Sequence, residues 1–293
     1  MKPSPFDVDP SAYPFQSHWF ERQGSAMHYL DEGCGLPVVM CHGNPTWSYM
    51  YRSVIQSLQP GHRCIAYDLP GFGFSDHPPG YGYTPQEHAE WVEALVIGHL
   101  KLERFVLVMQ DWGGPIGLRL ATRYPERVAG MVISNTFIGT PTRTLRWFSA
   151  IMGSALGQWF ILQKNGFATW LLSAMLNQPS ATTRQAYARP FPTPASRRGT
   201  AVFPVQLVQA RTWLEDTAQQ LTALSGIPVE LIFGLKDLDM GPSVRNTWLK
   251  RFPQAGVQLL PDVNHYTPED CPAAFVTAVE RIAGCLPPAP QLT

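Results

Sequence analysis

One stretch of the sequence constrains the fold more than any other. An apolar run from Phe105 to Met109 leads into the letters Q-D-W-G-G at 110–114, and a helical pattern from Pro115 to Tyr124 follows. This is the strand–turn–helix setting of a nucleophile elbow, in which a sharp turn exposes a reactive side chain above a sheet. Asp111 stands at the reactive position, and no G-x-S-x-G motif occurs in the sequence. The two glycines predict a helix packed closely behind the turn.

An aspartate at this position predicts covalent catalysis at saturated carbon. A serine that attacked an sp3 carbon would leave an ether, which water does not readily cleave, whereas a carboxylate leaves an ester. Water can then attack the carbonyl carbon of that ester and regenerate the enzyme. The alternative is that Asp111 is only a helix N-cap, because Asp is favoured there. Its place at the end of a strand, where α/β sheets bind ligands, favours the catalytic interpretation.

The rest of the chain alternates strand patterns with helical patterns. The other predicted strands are His28 to Leu30, Val38 to Cys41, Arg63 to Tyr67, Val128 to Ser134, Val229 to Phe233 and Val257 to Leu260. Further helices are predicted at Ser48 to Leu58, Pro85 to Leu100 and Ala273 to Ala283. Because nearly every strand is apolar throughout, the pattern indicates an α/β fold with a doubly wound, mostly parallel sheet.

The alternation stops near Gly139 and resumes near Val229. Between these points the sequence is helical, rich in Trp, Phe, Leu and Met, and broken by prolines. We therefore predict an α/β core formed by residues 1–138 and 225–293, with a helical cap inserted at 139–224. The longest apolar stretch, Trp147 to Leu162, is too short for a membrane span and is predicted to be a buried or cavity-lining helix.

The aromatic residues of the cap predict an apolar pocket for a small neutral molecule. Because they recur at helical spacing, most of them fit a hydrophobic core better than a pocket. They are Trp147, Phe148, Trp159, Phe160, Phe167 and Trp170.

The composition excludes several classes of partner. Lys and Arg together number 22, as do Asp and Glu, so the formal net charge is zero. Without a basic stripe, nucleic acid and anionic membranes are not expected partners, while zero net charge favours self-association into a homo-oligomer. The N-terminal residues 1–7 lack the apolar stretch of a signal peptide. Cys41 and Cys64 lie in apolar strands without paired spacing, so we expect a reducing, cytoplasmic environment.

A catalytic triad at such an elbow needs an acid and a histidine later in the chain. His265 follows the last predicted strand, where the other histidines fit poorly. Asp237 follows the strand at 229–233, and Asp239 competes with it two residues on. Either acid fits the alternative role of an Asx-turn residue.

Asn44 and Trp112 form a second pair of candidate residues. The backbone N–H groups of both residues fit an oxyanion hole for a tetrahedral intermediate. Their side chains add an amide N–H and an indole N–H, which together suit a departing halide. For Asn44 alone, a plain Asn-Pro turn is an equally good interpretation.

Five motifs together resemble those of the haloalkane dehalogenases. They are H-G-N-P-T-W at 42–47, D-L-P-G-F-G-F-S-D at 68–76, Q-D-W-G-G-P-I-G at 110–117, G-L-K-D at 234–237 and N-H-Y-T-P-E-D at 264–270. The resemblance covers the core from Tyr13 to Ile282 and implies the α/β-hydrolase fold. One branch of that family places its triad acid directly after the strand that follows the elbow helix. Residues 134–137 read S-N-T-F, so the resemblance assigns the acid to Asp237 and is greatest to the third subfamily.

This resemblance implies a complete reaction. Asp111 displaces halide from an alkyl carbon, while Asn44 and Trp112 stabilise the leaving halide. His265, oriented by Asp237, deprotonates the water that attacks the ester. The products are an alcohol, a halide ion and a proton, the substrate is a small apolar halogenated compound, and neither a metal nor an organic cofactor is required.

Three alternatives use the same fold. Epoxide hydrolases protonate an alkoxide with cap tyrosines, usually two, and the predicted cap contains only Tyr187. β-Lactone decarboxylases and luciferase-like relatives share the triad, although the β-lactone enzymes have histidine where this chain has Gln110. A non-catalytic, hormone-receptor-like module would keep a serine at the elbow.

Overall fold

The computed structural model describes residues 4–286, so the outermost residues of the two predicted core segments and of the N-terminal stretch lie outside the described part. Its centre is an eight-stranded sheet in the order β1-β2-β4-β3-β5-β6-β7-β8. The strands are Ser17–Arg22 (β1), Ser25–Glu32 (β2), Leu36–Cys41 (β3), His62–Tyr67 (β4), Phe105–Gln110 (β5), Val128–Ser134 (β6), Val229–Gly234 (β7) and Gly256–Leu260 (β8). Strand β2 pairs antiparallel with β1 and β4, and the other pairs are parallel. The predicted mostly parallel sheet is confirmed.

Alternate side chains of the central strands enter two separate cores, one on each face of the sheet. In β5, Leu107 and Met109 pack into one core, and Val106 and Val108 pack into the other. All six residues of this strand are buried. Burial on both faces is why the predicted strands have continuous apolar runs instead of alternating polar and apolar residues.

Helices outside the cap cover both faces of the sheet. They are Arg52–Leu58 (α1), Pro85–Glu93 (α2) and Gly113–Arg123 (α3) in the first half of the chain. The predicted helix at 85–100 is correct in position, but its last turn, Ala94–His99, changes to π-helical geometry. The predicted helix at 48–58 likewise begins with a 3-10 turn, Ser48–Tyr51.

Within residues 139–224, all of which are described, the secondary structure is helical. The helices are Arg143–Gly153 (α4), Ala155–Lys164 (α5), Leu172–Ala174 (α6), Ala181–Ala188 (α7), Arg198–Gln209 (α8) and Arg211–Gln220 (α9). We keep the name cap for residues 139–224, and the division into core and cap stays a prediction. Three helices follow β7: Pro242–Arg251 (α10), Thr267–Asp270 (α11) and Pro272–Cys285 (α12).

The prediction of one buried or cavity-lining helix at 147–162 was wrong. The stretch forms parts of two helices, α4 and α5, joined at Ser154, whose hydroxyl accepts the backbone N–H of Gly157 as the N-cap of α5. The outer sides of both helices are exposed: Trp147 is 61% exposed and Leu156 is 74% exposed. Apolar residues lie on the outer sides of both helices as well as on their inner sides. The apolar composition of the stretch therefore did not predict which residues are buried.

Helix α3 approaches the sheet more closely than any side chain at two of its glycines would allow. A Cβ on Gly113 would lie 2.0 Å from the backbone oxygen of Cys41, and one on Gly117 would lie 2.7 Å from the sulfur of Met109. This confirms the close packing that the glycines predict. It brings the first turn of α3 directly against the end of β3, which carries the next loop of the site.

Two further observations concern the chain as a whole. All five cysteines lie among the described residues, and none forms a disulfide. Across residues 4–286, no helix has the length and apolar character needed to cross a membrane.

We predict that Gly113→Ala lowers the free energy of unfolding by about 2 kcal/mol, because its methyl group would collide with the rigid backbone of β3. Urea denaturation measures the change. Gly98→Ala is the matched control, since a Cβ at Gly98 has no atom within 4 Å. Equal denaturation midpoints for the two variants would contradict the tight packing of α3 against β3.

Candidate active site

Asp111 occupies the single turn between β5 and α3. Its φ angle is 50°, in the left-handed region that non-glycine residues rarely adopt. The backbone is held there by three hydrogen bonds: Asp111 N–H donates to Asn135 O at 3.2 Å, and Gly114 N–H and the hydroxyl of Thr136 donate to Asp111 O at 2.9 and 2.5 Å. The side chain is thereby turned away from the sheet, in the geometry expected of an elbow.

The loop after β3 lies against the Asp111 carboxyl group. A Cβ on Gly43 would fall 2.3 Å from Asp111 Oδ1, so only glycine permits this approach. The backbone N–H of Asn44 donates to the same oxygen at 2.7 Å. This contact places a hydrogen-bond donor where negative charge on that oxygen would develop.

The structure brings together the three residues assigned to the triad. His265 Nδ1 lies 2.7 Å from Asp237 Oδ2, and His265 Nε2 lies 3.5 Å from Asp111 Oδ2. All three residues are buried. Asp239, the competing acid, forms no ion pair with His265, so the geometry distinguishes the two acids that the sequence left open.

Asn135 is a site residue that the sequence reasoning missed. Its amide donates to Asp237 Oδ2 at 2.7 Å, and its side-chain oxygen accepts the backbone N–H of Gly234 at 2.8 Å. Asn135 therefore fixes the acid that contacts His265. Its position at the end of β6 could have identified it. That position was considered only as a place for the triad acid, and the asparagine found there was not given a role.

Gln110, directly before Asp111, also supports the triad. Its side-chain amide donates to the backbone oxygen of His265 at 3.0 Å. This hydrogen bond fixes the loop that carries the imidazole. The Gln110 side chain is fully buried and does not line the cavity.

The charges of the site are strongly coupled. Burial lowers the pKa of His265, but the charge of Asp237 and the hydrogen bonds to Asp111 and Asp237 outweigh it and raise that pKa to about 10. Burial raises the pKa of Asp237, but the His265 charge and the hydrogen bonds from His265 and Asn135 hold it below its ordinary value. The two shifts have the same origin, because the charged forms of His265 and Asp237 stabilise each other.

A cavity opens beside Asp111 and is bounded by both the core and the cap. Asn44, Trp112 and His265 contribute its polar wall. The cap contributes an apolar wall that includes Leu145, Phe148, Phe167, Leu171, Pro204 and Leu207. Among residues 4–286, no cluster of His, Cys, Asp or Glu is arranged to hold a metal ion.

The predicted halide ligands, Asn44 and Trp112, both line this cavity. The Asn44 amide nitrogen donates to the backbone oxygen of Thr200 in α8 at 3.2 Å, which leaves its second hydrogen free. The Trp112 indole N–H has no acceptor among the described residues. Its ring stacks on Phe203 of α8, with 5.0 Å between centroids and 25° between planes. Helix α8 therefore orients both side chains.

The six aromatic residues named for the cap have different surroundings, and one of them, Phe160, is half-buried but does not line the cavity. Phe148 and Phe167 line the cavity, whereas Trp147, Trp159 and Trp170 are 61%, 49% and 73% exposed. The prediction of an apolar pocket is therefore correct for two phenylalanines only. The helical spacing identified the aromatic residues of the cap but not the side of each helix that faces inward.

Two tyrosines near the site have different surroundings. The Tyr187 hydroxyl donates to Glu269 at 2.6 Å, and Glu269 is also paired with Arg52, so this cap tyrosine is engaged away from the cavity. Tyr266 lines the cavity, and its hydroxyl points toward Asn44 O at 3.5 Å. The sequence reasoning missed Tyr266 because it searched only the cap for tyrosines.

Comparison with known proteins supports the same interpretation. Residues 37–271 match a family model described as the alpha/beta hydrolase fold. The chain is 39% identical to haloalkane dehalogenase 2 of Mycobacterium tuberculosis and Mycobacterium bovis, over 94% of this chain and 97% of that protein. It is 34% identical to the cis-3-alkyl-4-alkyloxetan-2-one decarboxylase of Shewanella oneidensis, over 96% and 94%. The crystal structure of a haloalkane dehalogenase from Bradyrhizobium elkani superposes with a TM-score of 0.84 at 27% identity, over 92% and 98%.

The coupling between Asp111 and His265 predicts a pKa that depends on the Asp111 charge. Side-chain nitrogen NMR should give His265 a pKa of about 10 in the unmodified protein. In Asp111→Asn that pKa should fall, because the Asp111 charge and its hydrogen bond both raise it. The same pKa in both proteins would contradict the coupling.

A raised pKa also has a consequence for stability. An unfolded histidine titrates near pH ~6.5, so the His265 contribution is complete below that pH. It should be lost as the pH rises toward about 10. Urea denaturation across this range should show a steeper loss of stability in the unmodified protein than in His265→Gln, and parallel profiles would contradict the assignment.

Proposed function

Because the chain belongs to the haloalkane dehalogenase family, a group of hydrolases with the α/β-hydrolase fold, we propose that it cleaves carbon–halogen bonds through a covalent ester on Asp111. The observation that carries the proposal is the arrangement around one cavity. His265 Nε2 lies 3.5 Å from Asp111 Oδ2, and the Asn44 and Trp112 side chains line the same space. A nucleophile, a base and two neutral N–H donors are the groups that this reaction needs.

In the first step, Asp111 attacks the carbon that carries the halogen and displaces the halide in line. The departing halide gains negative charge in a cavity whose walls are largely apolar. The Trp112 indole N–H and the free hydrogen of the Asn44 amide stabilise that charge. Both donors are neutral, so halide can leave again after the reaction.

In the second step, His265 takes a proton from water, which attacks the carbonyl carbon of the Asp111 ester. Once Asp111 is esterified, it loses the negative charge that helps to raise the His265 pKa. The imidazolium then loses its proton to solvent more readily, and the neutral imidazole that remains acts as the general base toward water. The bond from Asn44 N–H to Asp111 Oδ1 stabilises the oxyanion, together with the Trp112 backbone N–H.

Asp237 keeps the imidazole in position throughout the cycle. It stabilises the imidazolium that forms when His265 takes the proton from water. Its own orientation depends on Asn135 and on the backbone N–H groups of Asp239 and Met240, which donate to Oδ1 at 3.0 and 3.1 Å. Collapse of the tetrahedral intermediate breaks the bond to the alkyl oxygen, His265 returns its proton to that oxygen to give the alcohol, and loss of the remaining carboxyl proton to solvent restores the Asp111 carboxylate.

Halide fits this cavity better than an alkoxide as the leaving group. Ring opening of an epoxide requires a proton donor, and the Tyr187 hydroxyl, the one tyrosine hydroxyl of the cap, is committed to Glu269, while the Tyr266 hydroxyl of the core points toward Asn44 O. Among relatives of similar sequence, the oxetanone decarboxylase shows that the fold also serves lactone chemistry. Gln110 donates to the His265 backbone and does not reach the cavity. Epoxides and β-lactones therefore belong in the test panel beside bromo- and chloroalkanes.

Halide release tests the proposal directly. The protein should release bromide from small bromoalkanes, and Asp111→Ala should release none because it lacks the nucleophile. His265→Phe should lower steady-state release about a thousandfold. It should also accumulate the alkyl ester, which intact-mass spectrometry detects as an added alkyl group on the peptide that contains Asp111.

The outcome that would overturn this function is specific. Turnover of an epoxide or a β-lactone without halide release from any haloalkane would assign the site to another reaction. Bromide release by Asp111→Ala at the unmodified rate would remove Asp111 from the mechanism.

Replacing Trp112 tests the halide site. Trp112→Phe keeps an aromatic ring against Phe203 but removes the indole N–H, so kcat should fall about a hundredfold. The loss should be greater for chloroalkanes than for bromoalkanes, because chloride is the poorer leaving group and depends more on stabilisation. Equal losses for both halogens would indicate that Trp112 acts only through packing.

A further inference from the structure

One acidic side chain of the cavity has no role in the proposed reaction. Asp239 lies in the loop after β7, two residues beyond the triad acid, and lines the cavity together with Asp111 and His265. It is partly buried, unlike an ordinary surface carboxylate. Its position places a second carboxyl group in the wall of a largely apolar cavity.

The Asp239 carboxyl group accepts no hydrogen bond from the described residues, in contrast to that of Asp237. Asp237 accepts hydrogen bonds from Asn135, His265 and two backbone N–H groups. Among the described residues, no group donates to the Asp239 carboxyl oxygens. Only its backbone N–H is bonded, to Asp237 Oδ1 at 3.0 Å. The backbone of Asp239 therefore stabilises the loop, and its side chain is available to bind a ligand.

The surroundings of this carboxyl group favour a hydrogen-bond donor. Partial burial raises the pKa of Asp239, and the charges of Asp237 and Asp111 raise it further against the opposing charge of His265. A partly buried carboxyl group without a donor from the protein depends on water for its hydrogen bonds. A donor brought by the substrate would satisfy it, and no protein group competes for the position.

The departing halide makes a hydrogen-bond donor near Asp239 still more favourable. The cavity is already lined by Asp111 and His265, and Asp237 lies behind the His265 ring. Halide release adds negative charge to a space that Asp239 also makes negative, and like charges repel more strongly where water is scarce. A donor on the substrate, close to Asp239, would reduce that repulsion.

We propose that Asp239 is a specificity-determining residue that selects halogenated substrates carrying a second, hydrogen-bond-donating group, a hydroxyl or an ammonium. The inference rests on the proposed dehalogenase function and names its substrate class. Plain haloalkanes are substrates that leave the Asp239 carboxyl group unsatisfied. Bifunctional ones bind with the halogen toward Asn44 and Trp112 and the donor toward Asp239.

The kinetic test compares three substrates of equal chain length: 1-bromohexane, 6-bromohexan-1-ol and 6-bromohexylammonium. In the unmodified protein, kcat/KM should be higher for at least one bifunctional bromide than for 1-bromohexane. Asp239→Leu keeps the backbone N–H but removes the acceptor, so this preference should fall roughly tenfold to a hundredfold. Asp239→Asn separates the two donors, because it retains an acceptor for a hydroxyl but loses the charge that attracts an ammonium.

Asp262→Asn is the matched control. Asp262 is another acidic residue of the same half of the chain, but its side chain is 92% exposed and it does not line the cavity. This variant should keep the substrate preference of the unmodified protein. An equal loss of preference in Asp262→Asn would point to the overall charge of the region and overturn the role of Asp239.

A binding measurement separates this inference from the proposed function. Calorimetry should show tighter binding of 6-aminohexan-1-ol or hexane-1,6-diol than of hexan-1-ol, and Asp239→Leu should abolish the difference. Failure of all three bromides to release bromide would overturn the dehalogenase function, while calorimetry would still test Asp239. Bromide release with a preference unchanged in Asp239→Leu, or equal binding of all three alcohols, would overturn the role of Asp239 alone.

Discussion

The close packing of three chain segments around Asp111 is the constraint on which the rest of the site depends. The end of β3, the turn after β5 and the first turn of α3 meet at distances that only glycine allows at Gly43 and Gly113. This packing holds Asp111 in a left-handed backbone conformation and places Asn44 N–H at 2.7 Å from its carboxyl group. The Asp111 carboxyl group is therefore oriented before any substrate binds. The surrounding packing provides the free energy that keeps the strained turn in place.

The proposed mechanism also requires a histidine whose basicity changes during the cycle. Asp237 and Asp111 lie on opposite sides of the His265 ring, at 2.7 and 3.5 Å from its two nitrogens. Both acids raise the pKa of His265. In the proposed mechanism, esterification of Asp111 would remove one of these two charges, so the reaction itself would convert His265 into a base. Asn135 and Gln110 hold the acid and the histidine loop in place, which explains why the site needs amides beside its charged groups.

The elbow, the triad and the sheet were predictable because parallel strands end at one edge of a sheet, so residues after β3, β5, β7 and β8 must meet there. Side-chain direction was not predictable. The cap tryptophans face solvent, and Asp239 faces the cavity, although neither orientation follows from spacing. Helix α10 was missed because only Val244 and Trp248 of its ten residues are buried, too few for an apolar period.

The origin of the oxygen atom in the alcohol tests the covalent mechanism most directly. In a single turnover in water enriched in oxygen-18, with enzyme in excess over a bromoalkane, the alcohol should contain ordinary oxygen from Asp111. The label should instead enter the Asp111 carboxyl group, where peptide mass spectrometry locates it. Oxygen-18 in the alcohol with an unlabelled Asp111 would show direct attack by water on the substrate and would contradict the ester mechanism.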